Sequence, residues 1–346
     1  MKTNVNSITR RNHFTTTRGE LQRSKTLKDI MRALKKPPFS PYAHHARSLG
    51  QATVAWHGTS ILAAMNRDEG THLVTTSVGT NHAFAAWTRA EWETGHLGIK
   101  TARIDAFQCT DPEDIECLSV LAQKLKNEWQ SKGIGYVFTR LNTADIASIL
   151  ALEQHGFVVI DNLLTFSLAT NSRPDEDSIS DVEMSPATID DLPELRRIAE
   201  ESFRFDRFHN DPLITKSTAD IMHAEWIENQ VRNGLADHVI VARDNGRPFG
   251  FLTCKVDRHA EKRLGVLMGT IWLVAVDKHA RGNGTARAMS AAAIAWFRTQ
   301  GVEHVDVSTQ SINIPAARTY LGAGFEYTCC STTLRLHLDY GEKCHG

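Results

Sequence analysis

The sequence predicts an α/β protein made of two related units in tandem, on three observations. First, Ile271-Trp272-Leu273-Val274-Ala275-Val276 is an apolar run stopped by a polar, glycine-bearing turn. Residues 287–298 follow it, rich in Ala and Met, so the stretch reads as strand, turn and helix. Second, the order asparagine, helix, Gly-Phe, strand occurs twice, from Asn142 through Gly156-Phe157 and from Asn313 through Gly324-Phe325. Third, a polar, acidic segment with a single proline, residues 170–178, separates the copies as a linker would. At 346 residues the chain has the length for two domains.

Taken in order, residues 1–45 read as a basic flexible tail. Ten Lys and Arg within the first forty residues face only Glu20 and Asp29, among many Ser and Thr, and Pro37-Pro38 closes the stretch. The same composition suits an organelle transit peptide or a start codon placed too early, and both stay open. His44-His45 reads as solvated loop, since two adjacent histidines rarely make a metal site alone; no metal is expected. Residues 46–170 form the first unit, 171–181 the linker and 182–340 the second unit. The second unit begins at Thr188-Ile189-Asp190-Asp191-Leu192-Pro193, a helix start with acidic capping.

Composition excludes several classes of function. A net charge of −1 lacks the basic excess of a nucleic-acid binder. No apolar run is long enough to cross a bilayer and no secretory segment is evident, so a cytoplasmic protein without a membrane partner is expected. The six cysteines form no Cys-x-x-Cys pair that would signal a zinc site or a redox dithiol. The expected partners are a small-molecule amine and, as a further expectation, a second copy of the chain.

Chemistry concentrates in Arg281-Gly282-Asn283-Gly284-Thr285-Ala286, where a strand meets a helix amino terminus. Unpaired N–H groups and the positive end of the helix dipole favour phosphate oxygens there. Glycine lets the backbone approach an anion without a Cβ between them. A Walker loop would need Lys-Ser/Thr where Thr285-Ala286 stands. A dinucleotide fingerprint would begin at Gly282-Asn283-Gly284 and use Asp306. Arg287 holds its third glycine position, however, and Asp306 sits within the alternating Val305-Asp306-Val307. A structural turn without a ligand is the remaining alternative.

Arg281-x-x-Gly284-x-Ala286 resembles the acyl-CoA pyrophosphate loop of the GCN5-related N-acetyltransferase (GNAT) superfamily. Asn313-Ile314-Pro315-Ala316-Ala317-Arg318-Thr319-Tyr320-Leu321-Gly322-Ala323-Gly324-Phe325 resembles its second motif, Asn-x-x-Ala-x-x-x-Tyr-x-x-x-Gly-Phe. The resemblance implies tandem GNAT-like domains with a mixed, strongly twisted sheet flanked by helices, and acetyl-CoA as co-substrate. It implies pantetheine binding by the backbone of Val274, Ala275 and Val276, and pyrophosphate binding by residues 281–286. Asn313 belongs to the same implied cofactor set, and Tyr320 is the implied proton donor to the leaving thiolate. Asp277, His279 or a water relay stay open as the base.

The first unit reads as a degenerate copy, with Ile149 at the tyrosine position and no Arg-x-x-Gly-x-Ala turn. Trp92-Glu93-Thr94, Leu97-Gly98-Ile99-Lys100 and the segment from Ser202 to Pro212 resemble the dTDP-fucosamine acetyltransferase family, which implies a nucleotide-linked amino-deoxy sugar as acceptor. Other small amines, a peptide amino terminus and a non-catalytic CoA-binding role are the alternatives. Arg204 and Arg207 suit a diphosphate clamp and Phe205 a stacking face; a surface passage with inward-packed aromatics is the competing reading. Trp226 reads as core.

Overall fold

The computed structural model describes residues 42–45, 70–172 and 182–338. The expected basic tail, save residues 42–45, lies outside the described residues, as does linker 173–181.

The first half runs β1 (His72–Val78), β2 (Asn81–Arg89), α1 (Glu91–Leu97), β3 (Thr101–Cys109), α2 (Ile115–Lys132), β4 (Tyr136–Asn142), α3 (Ile146–Glu153) and β5 (Val158–Ala169). The second half begins with β6 (Glu183–Pro186), α4 (Leu192–Ser202), α5 (Arg207–Asn210), α6 (Lys216–Arg232), β7 (His238–Asp244) and β8 (Arg247–Asp257). It continues with α7 (Arg258–Leu264), β9 (Met268–Val276), α8 (Thr285–Thr299), β10 (His304–Gln310), α9 (Ile314–Gly322) and β11 (Glu326–His337). Local chemistry accounts for the helices. In α2, Leu118, Leu121, Leu125 and Trp129 recur at helical spacing on the buried face, and Gly133 ends the helix at φ 71°.

Among the described residues the eleven strands join one sheet in the order β1-β2-β3-β4-β11-β5-β10-β9-β8-β7-β6. The sheet is mixed, because β3–β4 and β9–β10 pair in parallel and the other neighbours antiparallel. The expected class, a mixed sheet flanked by helices, holds.

The two halves exchange their last strands. β5 lies against β10 of the second half, and β11 lies between β4 and β5. The cores follow suit: Trp87, Leu121, Trp129 and Phe157 close over Leu334 and Leu336 of β11. Ile271, Phe297, Val307 and Phe325 close over Phe166 and Leu168 of β5. Each such side chain contributes roughly 1.5–3 kcal/mol by burial, so neither half keeps its core whole without the other. No helix among the described residues is long and apolar enough to cross a membrane.

Candidate active site

β9 separates from β10 partway along. The two pair only from Met268↔His304 to Ile271↔Val307, after which β10 continues beside β5 as far as Gln310↔Leu163. On its other edge β9 pairs with β8 through a register shift between Leu252 and Cys254, where the Thr253 hydroxyl accepts the N–H of Leu273 at 3.0 Å. A bulge of this kind bends and twists its strand. Val274, Ala275 and Val276 therefore keep β8 on one edge and have no strand on the other. The backbone groups on that open side, apart from the Val276 carbonyl that Arg281 takes, can pair with an extended ligand such as an amide-bearing arm.

The strand leads into a 3-10 turn, Lys278–Ala280, and then to Gly282 and Gly284 at φ 86° and 79°. Gly284 is the N-cap of α8 and no side chain caps the helix. Among the described residues no partner takes the amide hydrogens of residues 282–287; the first bond is from Ala288 N–H to Gly284 O at 2.9 Å. Nothing lies within 4 Å of where a Cβ would stand on either glycine. The turn is an open cradle of donors at a helix amino terminus, fitted to a phosphate. Asn283 is exposed beside it, while Thr285 is buried and Ala286 packs against the core. Arg281 is partly committed: its Nε donates to Val276 O at 2.8 Å and one terminal nitrogen lies 3.2 Å from Ser202 Oγ. It braces the strand end against α4 and keeps further N–H groups for an anion.

Asn313 caps α9 by accepting the N–H of Ala316 at 3.3 Å. Tyr320, two turns on, is 5% exposed, and its ring packs against Phe325 and against Phe166 of the first half's β5. Its hydroxyl has no protein partner among the described residues. Burial pushes the phenol well above its ordinary pKa, so it stays protonated and keeps a donor hydrogen at neutral pH. Phe166 escaped the sequence reading because nothing local in the first half signals a neighbour in the second.

Three sequence expectations are corrected. His44-His45 is not solvated loop: the Nε2 atoms of the two rings lie 2.9 Å from the two oxygens of Asp306, and both side chains are largely buried. Ser167 donates to the same carboxylate at 2.5 Å. Burial alone would raise Asp306, but the two histidines overcome it and hold the carboxyl far below its usual range. Asp306 is thus occupied within the sheet and cannot serve a dinucleotide ribose. A carboxylate inside an apolar alternation was the available signal that a distant partner was required. The second correction concerns Arg207. It pairs with Glu93 at 2.6 Å and its guanidinium lies 4.0 Å from the Phe138 ring centroid and 4.1 Å from that of Phe208. It pins α5 to the first half and is not a free diphosphate clamp. Arg204 is likewise engaged, by Asp220 at 2.9 Å, while Phe205 is exposed. The third is the first-half counterpart of Tyr320. Asp145 caps α3 through Ser148 N–H as Asn313 caps α9, and Phe157 N–H bonds Leu152 O as Phe325 N–H bonds Tyr320 O. Leu152, not Ile149, holds the tyrosine's place.

Asp277 is a poor base. Arg197 donates to its carboxylate at 2.5 Å and, with the His279 N–H, keeps it below the usual carboxylate range. The segments around Trp92 and 202–227 do meet: Trp92 and Leu97 pack on Phe208, Ile214 and Met222, and His96 bonds Glu225 at 2.8 Å. Trp226 is half-buried against the second-half core, as read.

A splayed parallel strand pair, an uncapped glycine turn and a tyrosine at the next helix end all lie within residues 192–325, which match the profile of the acetyltransferase (GNAT) family. That stretch of the second half is thus similar to the acetyltransferase (GNAT) family. The chain is 26% identical over 190 residues to a dTDP-fucosamine acetyltransferase of Escherichia coli O6:H1, covering 54% of this chain and 75% of that protein. It is 27% identical over 191 residues to the spore coat polysaccharide biosynthesis protein SpsD of Bacillus subtilis, covering 55% of this chain and 62%, under two thirds, of that relative. Among solved structures, a tandem GNAT protein from the clavulanic acid biosynthesis pathway matches with a TM-score of 0.53 at 12% identity, covering 92% of this chain and 97% of that one. That last likeness supports the fold.

Proposed function

We propose that the protein transfers an acetyl group from acetyl-CoA directly to a primary amine, and that the acceptor is a nucleotide-linked amino-deoxy sugar. The observation that carries the reading is the unpaired stretch of β9 running into an uncapped helix amino terminus. In this reading residues 182–340 are the catalytic unit, 46–170 a non-catalytic one, and the reaction is cytoplasmic.

The chain's own groups supply each step. Backbone groups of Val274–Val276 hold the pantetheine arm by strand-like pairing, and the amide hydrogens of residues 282–287, aided by Arg281, hold the pyrophosphate. A backbone N–H at the end of β9 is aimed at the thioester oxygen, where such a donor lowers the barrier by about 3 kcal/mol. The neutral amine attacks the carbonyl carbon. As the carbon–sulfur bond breaks, Tyr320 gives its hydroxyl proton to the departing thiolate. The amine's own proton leaves through His279 or water, since Arg197 neutralises Asp277. No cysteine is needed. The sugar-nucleotide acceptor is supported by the relatives whose names concern fucosamine and spore coat polysaccharide.

The test is thiol release from acetyl-CoA on mixing with dTDP-fucosamine, with free amino sugars and with peptide amino termini. Turnover with the nucleotide sugar and acetyl-CoA affinity by calorimetry are expected. Affinity for acetyl-CoA without turnover of any amine would reduce the protein to a CoA-binding module.

A further inference from the structure

The passage from α4 to α6 gathers four ionisable side chains that the proposed reaction does not use. Asp206 is the N-cap of α5 and His209 lies within that helix. Asp220 and His223 lie three residues apart on α6, hence on one face of it. The His223 and His209 side chains are only 2% and 6% exposed. One ligand atom from each of Asp206, His209 and His223 lies within 4.8 Å of the other two.

The outer atom of each group is already engaged, and its partner decides which atom is left over. His223 Nδ1 lies 2.9 Å from the carbonyl oxygen of Ala219, which can only accept, so Nδ1 carries the hydrogen. His209 Nε2 donates to Asp220 Oδ1 at 3.0 Å, and Arg204 holds that carboxylate at 2.9 Å. Asp206 Oδ1 accepts the N–H of Phe208 at 2.9 Å and that of His209 at 3.4 Å. The atoms left over are Asp206 Oδ2, His209 Nδ1 and His223 Nε2. From Asp206 Oδ2 the two nitrogens stand at 2.5 Å and 3.6 Å.

A proton on His209 Nδ1 bridges the shorter pair but does nothing for the longer one. With its hydrogen on Nδ1, a neutral His223 turns a bare lone pair toward a carboxylate oxygen beyond hydrogen-bond length. A second proton would set two imidazolium rings side by side out of water, their centroids 5.5 Å apart. One doubly charged cation among the three atoms satisfies all of them.

We infer that Asp206, His209 and His223 form a binding site for a divalent zinc-class cation, held through Asp206 Oδ2, His209 Nδ1 and His223 Nε2. Two imidazoles and one carboxylate suit Zn²⁺ and not Ca²⁺ or Mg²⁺, which take oxygen ligands. Ligand atoms around tetrahedral zinc stand about 3.3 Å apart. The Asp206–His223 separation is near that already. The Asp206–His209 pair opens by roughly 1 Å as the metal replaces the proton, which passes to water. Asp220 and the Ala219 carbonyl hold the outer nitrogens of the two rings, as the partners of metal-bound histidines do. Phe203 stacks on His223 with ring centroids 4.4 Å apart, and Phe208 and Trp226 lie 6.0 and 6.1 Å from it. Such apolar walls favour four-coordinate zinc, with water as the fourth ligand, over octahedral iron that keeps three positions for substrate.

The cation acts as a clamp and takes no part in acyl transfer. It ties α5 to α6 in the stretch that grips the first half. There Arg207 pairs with Glu93, and Asp211 accepts the Tyr136 hydroxyl at 2.7 Å. Asp211 also pairs with Arg335 at 3.2 Å. The site stands whatever the glycine turn binds.

The experiment treats the full chain with a chelator and then titrates it with Zn²⁺, and with Co²⁺ as a spectroscopic stand-in. The wild type should take up zinc with a rise in melting temperature and show the visible absorption of four-coordinate Co²⁺. His223→Gln and His209→Gln should each weaken that uptake about a hundredfold. His223→Cys exchanges one zinc ligand for another. It should keep the bound equivalent and add a thiolate-to-cobalt band in the near ultraviolet that the wild type lacks. Histidines elsewhere can also take up metal, His44 and His45 among them, so His45→Gln is the control and should retain the equivalent. No uptake by the wild type overturns the inference. So does uptake that both glutamine variants leave unchanged, or that His45→Gln abolishes. Should the glutamine variants fail to fold, the cysteine variant decides: bound Co²⁺ without the new band would place the metal elsewhere.

Discussion

The helices α2 and α8 occupy equivalent places in the two halves, and their amino termini are finished in opposite ways. Each follows a strand that pairs in parallel for four residues and then departs: β3 leaves β4 after Ile104↔Thr139, and β9 leaves β10 after Ile271↔Val307. Each strand also carries a register shift against its other neighbour. At α2, however, Asp114 accepts the N–H of Cys117 at 2.9 Å and the amide of Asn81 at 2.7 Å. Those donors hold its carboxyl below the usual range. At α8 the N-cap is Gly284, with no side chain at all. One terminus is filled by the chain's own anion and contributes stability; the other is left open for an anion from outside. Under the proposed function, the splay alone would therefore not make an acyl-CoA site.

The residue proposed as proton donor differs between the halves in the same sense, and its removal is the largest expected effect. Asn313, Tyr320, Gly324 and Phe325 correspond to Asp145, Leu152, Gly156 and Phe157, with both glycines at φ above 90°. Leu152 is fully buried and cannot give a proton. Tyr320→Phe makes the second half resemble the first at this point. It should lower kcat about 10³-fold while acetyl-CoA affinity by calorimetry stays within twofold. A parallel loss of affinity would mean the phenol acts by holding the donor.

A second contrast lies on β10 and β4. Asp306 is bound to His44 and His45, whereas the matching Phe138 is covered by Arg207. Burial lowers the basicity of His44, but the hydrogen bonds and charges of Asp306 and Cys329 outweigh it and raise its pKa to about 9. A histidine raised from 6.5 in this way stabilises the fold fully below about pH 6, and the contribution fades as pH climbs through 9. Its size is on the order of 3 kcal/mol. The gap in melting temperature between wild type and Asp306→Asn should be widest near pH 6 and shrink by pH 10. A gap constant with pH would assign the effect to packing.

Much of this contrast could be read before any coordinates. The glycine turn, Asn313 and Tyr320 are local in sequence, so their helix-terminus geometry follows from spacing. The exchange of β5 and β11 was hidden, because both strands carry the same alternation whichever partner they take. The His44–Asp306 contact spans 262 residues and has no periodic signal. Arg207 and Arg204 mislead for a related reason: a guanidinium in an aromatic-rich segment looks free until the carboxylates Glu93 and Asp220 are brought to it. Ile149 follows Asn142 by seven residues as Tyr320 follows Asn313, but the residue that caps α3 is Asp145, seven before Leu152.

Gly284→Asp imposes the first half's solution on the second. Aspartate tolerates the left-handed φ of 79° at modest cost, and its carboxylate would accept the open amide hydrogens as Asp114 does. The KM for acetyl-CoA should rise about 30-fold, roughly 2 kcal/mol, through occupied donors and like-charge repulsion of the pyrophosphate. The acceptor KM should hardly change. Gly284→Ala separates backbone strain from charge: if it matches the aspartate variant, conformation and not the filled anion site is responsible.

The converse substitution tests the first half and has the smallest effect. Asp114→Ala removes the cap of α2 without touching the splay or the core residues Cys117, Leu118 and Leu121. Loss of an aspartate N-cap costs about 1 kcal/mol, and the freed amide of Asn81 adds little because it can turn to water. The melting temperature should fall by a few degrees, with kcat and both KM values unchanged. The bared terminus should still not bind CoA, since Asp111 and Glu113 remain in the loop and no glycine pair takes the place of Gly282 and Gly284. Calorimetry therefore distinguishes two ideas of what makes the site. A second equivalent of CoA bound by Asp114→Ala would mean that an uncapped helix beside a splayed strand suffices. One equivalent in both proteins would mean that the glycine turn itself is required.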